Sequence, residues 1–554
     1  MWTFWRIVLQ KRGVVVVLSI VATVFTVLLG AGLQRVLTSP PPSTVQVLTY
    51  HNDLARTGQN LDEKILTPAN VNRKTFGKLG FLTTDGLVDA EPLYVSNLTV
   101  SGHSRNVVFV ATEHDFVYAF DADTMTQLWR VTMLAPGEIP SDDRRCGQVT
   151  PEIGVTATPV IALREGRGVM YVVAMSKDKV GNYFHRLHAL DIASGAELPG
   201  SPVTVQATFP NLHGVTTFDA KQYKERASLL LLDGIVYTSW ASHCDEGDYT
   251  GWIIGYHAET LKQTHVLNLT PNGSAGAIWM SGAGPAADSQ GNIYILDGNG
   301  TFDEKLDSCD MPVNGDFGNA FLKLSVQAGK LRVTDYFNTH DTQAQSGRDE
   351  DLGSGGALVL PDLHDDSGRT WQLAVGAGKD RRIYVVDRND MGKFTHKKNA
   401  RIYQEIDHML AGPVFSMPAY FNNTVYFASV NDTMKAFSIS NAKLVSTPAS
   451  KTSAHFAYPG ATPSISANGT ANGIVWTVEA RGSEAGILHA YDAGNLANEL
   501  YSSSGRTHSR DAFSDNKFIT PMIANGRVFV GTLTGVAVFG LLPQDKNKPK
   551  VSGP

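Results

Sequence analysis

The chain has 554 residues, 18% of them charged, a net charge of -6, 52 glycines and three cysteines. So small a net charge, with no basic stripe, excludes a nucleic-acid-binding protein. The glycine content suits a sheet protein rich in tight turns, and the absence of any CxxCH or paired CxxC excludes an attached c-type haem and a structural zinc site.

Residues 1–13 hold Arg6, Lys11 and Arg12. They precede an uncharged apolar run, VVVVLSIVATVFTVLLGAGL at 14–33, of about the length that spans a bilayer. The positive-inside rule places the N-terminus in the cytoplasm and the remainder outside, as a single-pass membrane protein with its main domain on the periplasmic or extracellular side. A cleaved signal peptide is the alternative, although its apolar stretch is normally shorter. Residues 34–45 form a Pro-rich linker, with SPPPST at 39–44 as a stiff spacer.

From 46 to 541 the chain repeats itself. The recurring unit is an apolar strand, a short loop, and a second strand that commonly ends in Ala-apolar-Asp. The second strands are VYAFD at 117–121, LHALD at 187–191, IIGYH at 253–257 and FLKLS at 321–325. Four more are IYVVD at 383–387, MKAFS at 434–438, LHAYD at 488–492 and VAVFG at 536–540. A spacing of roughly 50 to 70 residues signals a propeller or solenoid. Buried faces between neighbouring sheets and the absence of a long amphipathic helix favour an all-β, eight-bladed propeller. Seven blades remain open if one repeat is degenerate. Residues 542–554 form a C-terminal tail.

Several motifs resemble the pyrroloquinoline quinone (PQQ) dehydrogenases, the quinoprotein family of methanol and ethanol dehydrogenases. AFDADTMTQLW at 119–129 is similar to that family's ALDAxTGxxxW tryptophan-docking motif, in which the Trp, here Trp129, packs flat between blades. NDLARTG at 52–58 and LTPANV at 66–71 are similar to stretches that precede its first blade. The resemblance covers roughly residues 46 to 540 and extends to bacterial PQQ-binding-like propellers.

The resemblance implies a site on the propeller axis. It needs a slot for the flat quinone, a hard cation (Ca²⁺ or a lanthanide) on oxygen ligands, and a carboxylate base. Counting back from Gly251 and Trp252 puts Glu246 on a metal-ligand position; an acidic surface loop is the other reading. Trp279 would stack on the quinone and Asn299 would offer its amide oxygen to the cation; a packing aromatic and an Asx turn are the alternatives. Asp349 falls on the catalytic base, which is also a metal ligand, and Asp351 on the extra carboxylate of lanthanide-type members, in a loop that could equally be an exposed acidic turn. Lys379 falls on the cation that contacts the quinone carbonyls, or is a hairpin lysine.

The chain also departs from the family. The adjacent Cys-Cys pair and the following Arg are replaced by CGQVTPE at 146–152, with one cysteine and Glu152 near the expected Arg. Cys146 and Cys244 would both face the axis and could pair. His243 and Cys244 beside the carboxylates would also suit a softer metal. Two functions follow. One is a membrane-anchored oxidoreductase that oxidises an alcohol or sugar with PQQ and passes electrons to a separate acceptor. The other is a non-catalytic propeller that binds a protein or glycan partner in envelope assembly.

Overall fold

Each of the eight apolar repeats becomes the third strand of a small antiparallel sheet. A computed structural model of the protein describes residues 44–164, 167–482, 484–504 and 510–543. The third strands are Phe116–Asp121, Tyr183–Asp191, Trp252–His257, Ala320–Gln327, Ile383–Asp387, Asp432–Ser440, Ile487–Asp492 and Gly535–Leu541. The second strand of each blade lies immediately before, as in His103–Ala111 and Ile235–Ser242. Eight sheets make an eight-bladed propeller, so the seven-blade alternative falls.

The Asp that ends many third strands has a local reason. The Asp121 carboxylate accepts the N–H groups of Asp123 and Thr124 at 3.0 and 2.9 Å. Asp191 does the same for Ala193 and Ser194, and Asp387 and Asp492 cap Asn389 and Gly494. These Asx turns satisfy the amides that the strand leaves behind and send the chain back as the outer strand. Trp129, on the outer strand of blade 1, docks on blade 2. Its indole N–H donates to the Ile192 carbonyl at 3.2 Å, and the ring covers Gly195, where φ is +73° and a Cβ would meet the ring at 2.7 Å.

A strand from before blade 1 completes blade 8 and so closes the ring. Phe76–Thr83, from before blade 1, pairs antiparallel with Gly535–Leu541 and supplies the outer strand of blade 8. A second N-terminal segment crosses the axis and bonds to every blade in turn. Gln46 pairs with Val95 of blade 1, and the Leu48 carbonyl accepts Ile161 N–H of blade 2 at 2.8 Å. Arg56 donates to the Leu229 carbonyl of blade 3 at 3.2 Å. The carbonyls of Leu54, Ala55, Thr57 and Gly58 accept Ala287, Val359, Tyr420 and Ile465 N–H of blades 4 to 7. Asn60 donates to the Ile523 carbonyl of blade 8 at 2.9 Å. Arg56 is fully buried at the centre of this plug, donating to Pro285 O (2.9 Å), Thr49 Oγ1 (2.7 Å) and Tyr50 O (2.7 Å).

Among the described residues the one α-helix is Thr342–Gly347, and no helix is long and apolar enough to cross a membrane. The apolar run at 14–33, expected to span a bilayer, lies outside the described residues, as does most of the tail expected at 542–554.

Candidate active site

At one end of the axis, loops from several blades enclose a cavity of about 350 Å³. The same stretch of blade 4 runs from Trp279 at this cavity to Pro285 and Ala287 at the plug, so the plug lies beneath the cavity along the axis. Trp279, Asn299, Asp349, Asp351 and Lys379 all line it.

Trp279 is held by its neighbours on both sides. Ile278 N–H bonds to the Trp240 carbonyl at 2.9 Å, and Ser281 Oγ donates to the Ser354 carbonyl at 2.6 Å. The ring meets Phe518 and Phe415 edge-on, with centroids 5.4 and 6.0 Å apart. Six residues at or beside the cavity have left-handed backbone: Cys244, Asp245, Met280, Ser281, Asp349 and Phe518, with φ between 44° and 62°. Such conformations are costly for side chains that do not favour them.

Asn299 sits in the hairpin after Ile293–Leu296. Its Nδ2 donates to Asp349 Oδ1 at 2.6 Å, while its buried Oδ1 has no partner among the described residues. Asp349 follows the short helix, and its side chain is 65% exposed to the cavity mouth. Asp351, 6% exposed, lies two residues on. Its carbonyl accepts Lys379 N–H at 2.8 Å, and the next residue's N–H goes to Asn319 Oδ1 at 2.8 Å. Gly378 makes that approach possible, because any Cβ there would strike the Asp351 carbonyl. Lys379 Nζ then bridges the two acids, 2.7 Å from Asp351 Oδ1 and in contact with Asp349 Oδ1.

Burial raises the pKa of Asp351, and the Lys379 ammonium counters this only in part. Burial opposes the charge on Lys379, but Asp351 and Asp349 outweigh it and hold the amine above its ordinary value. Asp297, fully buried behind Asp351, is pushed well above the carboxylate range by burial.

The structure does not bring Glu246 to this cluster. The consecutive left-handed residues Cys244 and Asp245 turn the loop by one position. Asp245 lines the cavity instead, accepting Tyr249 O–H at 2.7 Å and Ser242 O–H at 3.1 Å. Glu246 is exposed, and its carbonyl takes Gln222 Nε2. The softer-metal reading of His243 and Cys244 falls. Cys244 is disulfide-bonded to Cys146, and buried His243 meets the Tyr223 carbonyl through Nε2 at 3.2 Å. Burial and then Lys224 lower the His243 pKa to about 3. Glu152 pairs with His114 at 2.7 Å rather than entering the cavity, where Gln148 stands. Lys224, Gln148, Phe415 and Tyr458 also line the cavity, and Lys224, Phe415 and Tyr458 carried no motif in the sequence.

The donor set suits a hard cation in chemistry: two carboxylates and a buried amide oxygen that lacks a partner. Among the described residues, no three His, Cys, Asp or Glu side chains converge as a cation cage. The Lys379 ammonium lies between the acids.

No family model matches the chain, and no curated protein matches it. Solved structures do. Quinohemoprotein alcohol dehydrogenase from Comamonas testosteroni is 14% identical, with a TM-score of 0.57 over 90% of this chain and 80% of that one. A quinohemoprotein alcohol dehydrogenase from Pseudomonas putida is 15% identical, with a TM-score of 0.59 over 91% and 82%. A europium-containing methanol dehydrogenase is 12% identical, with a TM-score of 0.56 over 90% and 98%. At these identities the likeness shows a shared propeller fold.

Proposed function

We propose that the protein is a PQQ-dependent oxidoreductase that oxidises an alcohol or sugar and hands electrons to a separate acceptor. The observation that carries this reading is the convergence of Asn299, Asp349, Asp351 and Lys379 beside Trp279 on the propeller axis. When bound, PQQ with Ca²⁺ or a lanthanide supplies a two-electron acceptor and a Lewis acid beside it. Asn299 Oδ1, Asp349 and Asp351 would hold the cation, with Asp245 in the place expected for Glu246. The Trp279 ring would pack against the quinone.

The chain's own part is positional and electrostatic. Asp349 is the exposed carboxylate of the cluster and takes the proton of the substrate hydroxyl. Asn299 Nδ2 and Lys379 Nζ both contact its Oδ1, which orients the carboxylate and leaves Oδ2 for the substrate. The Lys379 charge stabilises negative charge that develops beside it. The fold likeness to alcohol and methanol dehydrogenases supports the reading. The apolar run at 14–33, preceded by Arg6, Lys11 and Arg12, supports a propeller held by one helix on the far side of a membrane from the cytoplasm.

A non-catalytic propeller that binds a protein or glycan partner is favoured by a different observation: Lys379 already neutralises much of the acidic pair. Dye-linked alcohol oxidation by the full chain, supplied with PQQ and either Ca²⁺ or La³⁺, separates the two. Turnover supports the enzyme; its absence with both metals supports the binding propeller.

A further inference from the structure

Beyond Trp279 lies a notch of about 10 Å³, which shares Gln148, Lys224 and Trp279 with the cavity and adds Arg226, Lys517 and Phe518 together with Asp89 and Asn516. Lys224 and Arg226 come from the start of blade 3, where Tyr223–Glu225 runs as a strand. Alternation along the chain puts these two on one side and Glu225 on the other. Glu225 accepts Ser239 N–H at 2.9 Å on that other side, and burial holds its pKa well above its ordinary value.

Both cations are buried, Lys224 at 2% exposure and Arg226 at 4%. Among the described residues neither has a carboxylate at ion-pair distance, and Lys224 Nζ has no hydrogen-bond partner. The Arg226 guanidinium lies over the Phe518 ring, 5.6 Å from its centroid. Gly282, with φ +95°, makes room for it, since a Cβ there would come within 2.7 Å of Nη1. Among the nearby acids, Glu113 is kept well above its ordinary pKa by burial and then by Asp89. Asp89 lines the notch, accepts Asn516 Nδ2 at 2.9 Å and attracts Lys224. Arg226 and Lys517 add to the repulsion on Lys224. Three cations, Lys224, Arg226 and Lys517, thus line the end of the cavity with Asp89 as the one acid in that lining, beside the rings of Trp279 and Phe518. Burying an unpaired ammonium is costly, and a bound anion removes that cost.

We propose that this end of the cavity is an anion clamp, in which Lys224 and Arg226, backed by Lys517, grip the carboxylates of an aromatic polycarboxylate lying against Trp279. The clamp stands in for the arginine that the 146–152 stretch lacks. The identity of the aromatic body as PQQ rests on the reading of the preceding section; the anionic end does not.

The test is a calorimetric titration of the full chain with three probes: PQQ, its trimethyl ester and benzene-1,3,5-tricarboxylate. It uses the wild type and the Lys224→Met, Arg226→Met and Lys224→Arg variants, each first checked by a melting curve. Charge-assisted contacts of this kind set the expected loss at about tenfold or more for each Met variant and for the ester, with Lys224→Arg within about threefold of wild type. Equal PQQ affinity in wild type and Lys224→Met, or equal affinity for PQQ and its ester, overturns the clamp. If PQQ fails to bind while the benzene tricarboxylate binds and is lost in Lys224→Met, the clamp stands and the quinone reading falls. If neither binds the wild type, both fall.

Discussion

Lys379 and Asp351 are joined twice, by an ion pair of 2.7 Å between Nζ and Oδ1 and by a 2.8 Å hydrogen bond from the Lys379 N–H to the Asp351 carbonyl. The double link fixes the loop that precedes blade 5 against a hairpin of the same blade. It leaves Asp349 as the exposed acid of the cluster, held at one oxygen by Asn299 and Lys379.

If Asp349 is the proton acceptor, Asp349→Asn removes the base while keeping a side chain that tolerates a positive φ. The expected loss in kcat is about 10² to 10⁴-fold. The melting temperature should move little, because the side chain is 65% exposed. Dye-linked kinetics on PQQ-loaded protein decides; an unchanged kcat assigns the proton to another group.

Arg56 should matter for folding rather than chemistry. It is buried at the axis, and burial lowers its pKa only to about 10, so it stays charged. Its planar fork reaches the Pro285, Tyr50 and Leu229 carbonyls and the Thr49 hydroxyl together, which a lysine cannot do. Arg56→Lys is expected to cost about 2–4 kcal/mol in urea denaturation. A loss under about 0.5 kcal/mol would mean that the plug does not tie the blades together.

The disulfide between Cys146 and Cys244 closes a loop with a sequence separation of 98, and both cysteines line the cavity. Thiol titration of the unfolded, unreduced protein should find one thiol, Cys309, and three after reduction. Cys146→Ser is expected to lower stability by about 2–5 kcal/mol. Three free thiols before reduction would contradict the link.

Lys224 gives a pH dependence with a definite sign. Burial, then Arg226, lowers its pKa from 10.5 to about 8 in the folded protein. The unfolded chain therefore binds more protons between those values, and the empty protein gains stability as pH rises through that window. Below about pH 8 the full cost of the buried charge is present. Lys224→Met should stabilise the empty protein at pH 7 by roughly 1–3 kcal/mol, with the gain shrinking toward pH 10.5. Denaturation curves at pH 7 and pH 10 test this. A variant less stable than wild type at pH 7 would show that the lysine has a partner in the folded chain.

Much of the fold was legible in the sequence because blade strands carry their own signal. All eight apolar repeats, from 117–121 to 536–540, lie within third strands, and the Asp that ends many of them makes the expected turn. The plug was not legible. Apart from the Arg56 and Asn60 side chains, its bonds run from backbone carbonyls of residues 48–58 to amides far along the chain, such as Ile465, and backbone contacts leave no residue pattern. In the site, Trp279, Asn299, Asp349, Asp351 and Lys379 converge as the motifs implied. Glu246 does not, because counting back from Gly251 assumes a regular loop, and two successive left-handed residues shift the acid at the cavity to Asp245. The run Tyr223-Lys-Glu-Arg226 gave no hint of burial; four polar or charged residues in sequence look like a solvated strand end, yet all four are buried.

The most direct measurement is a crystal structure of the full chain grown with PQQ and La³⁺. The account expects the quinone against Trp279, the cation on Asn299, Asp349 and Asp351 with the Lys379 ammonium moved off the acids, and the carboxylates toward Lys224. Crystals grown under saturating PQQ that show an empty axial cavity, or the quinone elsewhere on the propeller, would contradict it.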